Sequence, residues 1–248
     1  MLRHLLGETR THAGAVVTLS LTGDLLGARE AAELIDAVSA LVEDRSVRVV
    51  VVDTSGAEFC AGIAAGFDPR ELSPDPPSVL AMLRPPVIAA IRGRCGSVGL
   101  EIALAADIRI ADSDSSFSLA DVCSGRLPCW GGTQRLPRVI GHARAAAFLL
   151  LGEEWTAEQA DRAGLVTALA SPGQGLSTLV EAEVERLLSV GPLALELAKE
   201  AVHRGSELPL RDGLRLEGDL NHLLAATEDR AEGLAAFFAK RPPDFAGR

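Results

Sequence analysis

The run Val47-Arg-Val-Val-Val-Val-Asp53 constrains the fold more than any other stretch of this sequence. Its β-branched residues do not alternate with polar ones, as they would in a half-solvated strand. Such a run suits a strand buried on both faces, the usual situation in parallel sheets. The neighbouring segments agree. Ala15-Val-Val-Thr-Leu-Ser-Leu21 reads as a strand, and residues 29–43 place Ala31, Leu34, Ile35, Val38, Leu41 and Val42 at helical spacing. Strand, helix and strand make a first βαβ-like unit.

The pattern then recurs. A small-residue turn, Gly56-Ala-Glu-Phe-Cys-Ala-Gly62, leaves the buried strand, and Ser73-Pro-Asp-Pro-Pro-Ser78 reads as a Pro-rich loop. Val87–Ile91 is a further apolar strand. Gly93–Gly99 reads as a loop opening a helix over Leu100–Ala106, and Asp107–Ala111 returns to strand. Strand, turn and helix in repetition predict an α/β fold with parallel strands. From about residue 142 helices dominate. Thr156-Ala-Glu-Gln159 has the form of a capping box, Gly164 stands at a helix C-cap, and 176–190, 192–203, 211–226 and 229–240 read as helices. The expected organisation is an α/β core over residues 1–190 and a helical C-terminal subdomain over 191–248.

Composition narrows the function classes. A net charge of −10 argues against a nucleic-acid partner, because that affinity rests on Lys and Arg neutralising phosphates. No apolar run approaches bilayer length, and Met1-Leu-Arg-His4 is not followed by a signal-peptide core, so the expected location is the cytoplasm, with no membrane partner. Cys60, Cys95, Cys123 and Cys129 form no C-x-x-C pair and read as reduced, core-compatible residues. The five histidines are far apart, so no metal is expected. With no tyrosine in the chain, acid–base chemistry falls to carboxylates, lysines, histidines or cysteines.

Three features converge on one chemistry. The turn Phe59-Cys-Ala-Gly-Ile63 can aim backbone N–H groups into a cleft, and Gly93–Gly99 leads into a helix N-terminus that favours negative charge. Two such N–H groups are what a thioester oxygen needs as it becomes an enolate. The third feature is an acid pair, Glu101 and Asp121. An acid in a first helical turn often only complements the dipole, and Asp121 by itself reads equally as a loop residue or a cap. Glu101 is different: Gly99-Leu-Glu-Ile-Ala-Leu-Ala-Ala106 would bury it, and burial raises a carboxyl pKa toward the range of a general acid or base.

Phe59-Cys-Ala-Gly62, Pro85–Gly93, Gly99–Ala111, Gly131-Gly-Thr-Gln-Arg-Leu-Pro-Arg138, Ala157–Val166 and Glu232–Phe245 together resemble the crotonase superfamily, the enoyl-CoA hydratase/isomerase family, over essentially the whole chain. The resemblance implies a spiral of repeated ββα units with a helical C-terminal trimerisation subdomain, assembled as homotrimers or homohexamers. It implies an acyl-CoA thioester substrate, coenzyme A entering as part of that substrate and no separate cofactor. On the matching positions, Ile63 and Val98 would supply the oxyanion-hole N–H groups, and Glu101 and Asp121 would be the two catalytic acids. Ala61, Gly62, Ala64, Gly99 and Pro128 would contact substrate, and Phe237 and Lys240 would help hold the CoA nucleotide.

The implied reaction is hydration of a 2-enoyl-CoA, with double-bond isomerisation, thioester hydrolysis or a non-catalytic acyl-CoA-binding role as alternatives. Several positions depart from the family's pattern. Asp121 stands where hydratases usually carry Glu, and Val98 where Gly is common. Cys129-Trp130 replaces small residues and is expected to crowd the pocket. The segment Ile63–Pro86 is short.

Overall fold

The computed structural model describes residues 6–171 and 173–248; the opening Met1–His4 lies outside the described residues. In chain order the elements are β1 (Leu6–Thr11), β2 (Val16–Leu21), β3 (Leu25–Leu26), α1 (Ala28–Val42), β4 (Val49–Thr54), β5 (Gly62–Ile63), α2 (Pro76–Ala81), β6 (Val87–Ile91), β7 (Arg94–Gly96), α3 (Val98–Ala105), β8 (Ile108–Ala111) and β9 (Ser116–Ser118). There follow α4 (Gly132–Ile140), α5 (His142–Leu151), β10 (Glu154–Thr156), α6 (Ala157–Ala163), β11 (Ala168–Leu169), α7 (Leu176–Leu188), α8 (Pro192–Gly205), α9 (Leu210–Ala225) and α10 (Glu228–Ala239).

The described residues divide into two compact units, 6–83 with 87–182 and 84–86 with 183–248, so the division falls inside α7. The first unit carries a six-stranded sheet in the order β1-β2-β4-β6-β8-β11. Only the edge strand β1 is antiparallel; β2, β4, β6, β8 and β11 run parallel. Val49, Val50, Val51 and Val52 of β4 are all buried, as are all the residues of β6, which is why these strands read as unbroken apolar runs.

From β2 to β8, each strand of the large sheet is followed by a short one that leaves it. β3 pairs with β5, and β7 pairs with β9, which also pairs with β10. A bridge between Cys60 and Cys95 links the two small sheets. The repeat is therefore long strand, short strand, helix: β2-β3-α1, β4-β5-α2, β6-β7-α3 and β8-β9-α4. Three expectations need correction. Residues 73–78 are not all loop, because α2 begins at Pro76, capped by Asp75. Gly93–Gly99 is not all loop, because Arg94–Gly96 forms β7 and the helix begins at Val98. Of the four cysteines, only Cys60 and Cys95 are buried; Cys123 and Cys129 are exposed.

Arg109 locks α3 in place from its C-terminal end. The side chain is buried, and its guanidinium donates to the Ala106 carbonyl at 2.6 Å and the Leu165 carbonyl at 2.7 Å. A cation at a helix C-terminus complements the dipole and pairs carbonyls that helix geometry leaves without partners. Arg109→Met would strand these carbonyls, and a lost partner costs roughly 1–3 kcal/mol per buried group. For the two carbonyls together the expected result is a Tm lower by roughly 4–24 °C, at the 2–4 °C per kcal/mol typical of domains this long. A thermal melt within a degree of wild type would contradict this account of Arg109.

In the second unit α8, α9 and α10 follow one another. Arg84 pairs with Glu196 at 3.2 Å, and the Lys199 ammonium donates to the Pro85 carbonyl at 3.0 Å, which ties residues 84–86 to α8. Buried Asp229 on α10 accepts N–H bonds from Ala246 and Gly247 and so holds the C-terminal segment. Leu210, Leu214, Leu223, Phe237 and Phe238 are exposed.

Candidate active site

Three successive turns of the first unit meet at one cavity of about 690 Å³, lined among others by Ile63, Ser97, Val98, Glu101, Asp121, Arg126, Pro128 and Cys129. Ile63 comes from β5, Ser97, Val98 and Glu101 from the entry to α3, and Asp121 from a short 3₁₀ turn (Asp121–Ser124) after β9. Backbone bonds fix the three turns side by side. Cys60 and Gly96 exchange contacts through the Gly96 N–H to the Cys60 carbonyl at 2.8 Å, and the Ser97 N–H donates to the Ser118 carbonyl at 3.1 Å. Asp121 is thus delivered by β9 and the turn that follows it.

The backbone donors follow from the elements. The Ala64 N–H is taken by the Leu26 carbonyl at 2.9 Å. The Ala61 N–H is likewise taken, by the Asp24 carbonyl at 2.7 Å, and Ile63 lies between the two, lining the cavity. Val98 and Gly99 are the first two residues of α3, whose N–H groups have no intrahelical partner. Ser97, the N-cap, makes no side-chain capping bond to them.

Glu101 is only 1% exposed. Its Oε1 accepts N–H bonds from Trp130 and Gly132, each at 2.8 Å. Gly132 opens α4, so the carboxylate lies at the N-terminus of a second helix as well as in the first turn of its own. Burial pushes the Glu101 pKa up from the ordinary carboxylate value, the two N–H donors oppose the rise, and the nearby charge of Asp121 adds to it. Burial comes first. The same acids, after burial, help push the Cys129 thiol up to about 11, far from a reactive thiolate.

Asp121 is also buried. Its Oδ1 accepts the Ser97 hydroxyl at 2.8 Å and lies 3.5 Å from the Arg126 guanidinium, whereas its Oδ2 has no hydrogen-bond partner among the described residues. Neither Ser97 nor Arg126 was singled out by the sequence. A serine just before a helix reads as an ordinary N-cap, and a lone arginine in a loop carries no pattern.

The structure brings Ile63, Val98, Glu101, Asp121 and Pro128 to one cavity. Ala61, Gly62 and Ala64 flank Ile63 without lining it, and Gly99 packs against Cys60. Phe237 and Lys240 belong to the second unit, Phe237 exposed on α10 and Lys240 at its C-cap. The expected crowding by Cys129-Trp130 is half right. Cys129 lines the cavity, but the Trp130 indole is buried near Phe67 (ring centroids 6.2 Å apart) and donates to the Pro69 carbonyl at 2.9 Å. That indole anchors the 63–86 segment instead of filling the pocket.

A family model described as enoyl-CoA hydratase/isomerase matches residues 25–248. The chain belongs to that family. A 2,3-dehydroadipyl-CoA hydratase of Escherichia coli (strain K12) is 38% identical over 228 residues, 87% of this chain and 88% of that protein. A crotonyl-CoA hydratase of Syntrophomonas wolfei is 34% identical over 224 residues, 86% of each chain. Among solved structures, an enoyl-CoA hydratase from Bacillus anthracis superposes with a TM-score of 0.90 at 33% identity, covering 99% of this chain and 100% of that one. The chain is therefore an enzyme of the crotonase family, and its strand-strand-helix repeat is the crotonase spiral. No helix among the described residues is long and apolar enough to cross a membrane.

Proposed function

We propose that this enzyme hydrates a 2-enoyl-CoA thioester. The observation that carries the reading is the meeting of two buried carboxyl groups, Glu101 and Asp121, with the backbone of Ile63 and Val98 at one cavity. In this reading the Ile63 and Val98 N–H groups hold the thioester oxygen and stabilise the charge that builds there as an enolate forms. One carboxylate takes a proton from water as the water oxygen bonds to C3, and the other gives a proton to C2. Atoms balance as one added water, and no electrons change hands. Coenzyme A serves only as the carrier of the acyl group, and the reaction calls on no further cofactor.

Relatives named as hydratases of dehydroadipyl-CoA and crotonyl-CoA support the reaction class. The exposed apolar residues of the second unit, Phe237 and Phe238 among them, support assembly into trimers or dimers of trimers. The test of function is loss of enoyl-thioester absorbance when purified protein meets crotonyl-CoA and a series of longer 2-enoyl-CoAs. Steady turnover of at least one is expected. Tight binding of these thioesters with turnover of none would overturn the reading, and migration of the double bond in a 3-enoyl-CoA would replace it with isomerisation.

A further inference from the structure

Ser97 has a backbone that a serine rarely adopts, with φ at 49° and ψ at −126°. This is the left-handed half of conformational space, where a side chain is strained and glycine is at ease. The strain is not offset by helix capping, the usual work of a serine in this place, because Ser97 makes no side-chain bond to the first turn of α3. Its hydroxyl instead donates to Asp121 Oδ1 at 2.8 Å. Two consequences follow from one rotation. The first-turn N–H groups of α3 stay clear of their own cap, and the acid gains a fixed partner.

Asp121 needs such a partner more than a longer acid would. Its carboxyl sits on a short stem that starts from an irregular turn, and Arg126, the other group at Oδ1, is a half-exposed side chain at 3.5 Å. With Oδ1 held, Oδ2 is the oxygen left without a partner, buried in the wall of the cavity.

We infer that Ser97 is a positioning residue that holds the short Asp121 side chain in register, so that Oδ2 meets the ligand in the cavity. The inference rests on the hydratase reading for its kinetic test only. Ser97 and Asp121 act as a matched pair: serine with aspartate, or glycine with the longer glutamate, but not the crossed combinations.

The experiment compares wild type, S97G, D121E and S97G/D121E on crotonyl-CoA, with thermal melts of wild type, S97G, D121A and S97G/D121A. S97G is expected to lower kcat by about 10- to 100-fold, the scale of a displaced catalytic group, with KM within about twofold. D121E lowers kcat when Ser97 is present and raises it in the S97G protein. A merely structural serine predicts the same effect of D121E in both backgrounds, and that result would overturn the inference. The melts decide independently of turnover. Relief of strain by S97G is common to both backgrounds, but only wild type also loses the bond to Asp121. S97G should therefore shift Tm more favourably in the D121A protein than in wild type, by roughly 3–12 °C for a charge-assisted bond in a chain of this length. Equal shifts would overturn the inference. Should crotonyl-CoA and longer 2-enoyl-CoAs all go unhydrated by wild type, the hydratase reading falls and the melts alone decide the pairing.

Discussion

Glu101→Gln is expected to lower turnover of crotonyl-CoA by about 10²–10⁴-fold, the range spanned by a positioned general acid or base. Glutamine keeps the shape and can still accept from the Trp130 and Gly132 N–H groups, so the cavity should keep its form and its affinity for thioesters. The same substitution carries a stability signature of opposite sign. Burial raises the folded-state pKa of Glu101 above its ordinary value of 4.5. The folded chain therefore binds that proton more tightly than the unfolded chain does. The resulting stability is fully present below the unfolded value and is lost as pH rises through the folded one. Glutamine does not titrate. Relative to wild type, E101Q should melt higher at pH 8 than at pH 4, with the gap opening as pH passes upward from 4.5. Thermal melts across that range check the sign, and a gap that closes on raising the pH would contradict it.

The second large effect is expected at Gly99. An added Cβ would meet the Cys60 carbonyl oxygen below any allowed contact and stand 2.6 Å from Cys60 Cβ. Both neighbours lie on the turn that carries Ile63, and neither is a flexible side-chain end. Gly99→Ala must therefore push α3 away from that turn, which separates the Ile63 and Val98 N–H groups. Overpacking of this kind costs about 2–3 kcal/mol, or roughly 4–12 °C in Tm for a chain of this size. A displacement of about 1 Å between the two donors should cost on the order of 10²-fold in kcat. The measurement pairs a melt with a rate for the same preparation. Full activity with a lowered Tm would show that Gly99 matters for packing and not for the placement of the donors.

These two residues also show how far the sequence could be read. Glu101 was legible because the residues around it, Leu100 and Ile102 to Ala106, are all apolar or small and bury whatever stands among them. The buried valines of β4 and the helical spacing of α1 gave the layered α/β core for the same reason, since burial on two faces leaves its pattern in composition. The motifs spread along the chain then carried the resemblance to the crotonases. What stayed hidden depends on contacts between distant segments. The Glu101 carboxylate meets N–H groups some thirty residues away, at Trp130 and Gly132, and backbone donors leave no mark on residue identity. Trp130 looked like an obstacle because its size was visible and its direction was not; its hydrogen bond to Pro69 turns it away from the cavity. Ser97 was hidden for a third reason. Its left-handed backbone is a property of conformation, and the sequence offers a serine where the geometry asks for glycine.

The central claim is that water adds across the double bond at the cavity shared by Glu101 and Asp121. It is tested most directly by incubating crotonyl-CoA with the enzyme in water enriched in heavy oxygen and examining the product by mass spectrometry. The account predicts a 3-hydroxyacyl-CoA carrying one heavy oxygen at C3, formed by wild type and not at a comparable rate by E101Q. A loss of enoyl absorbance without label at C3, or equal labelling by E101Q, would contradict it.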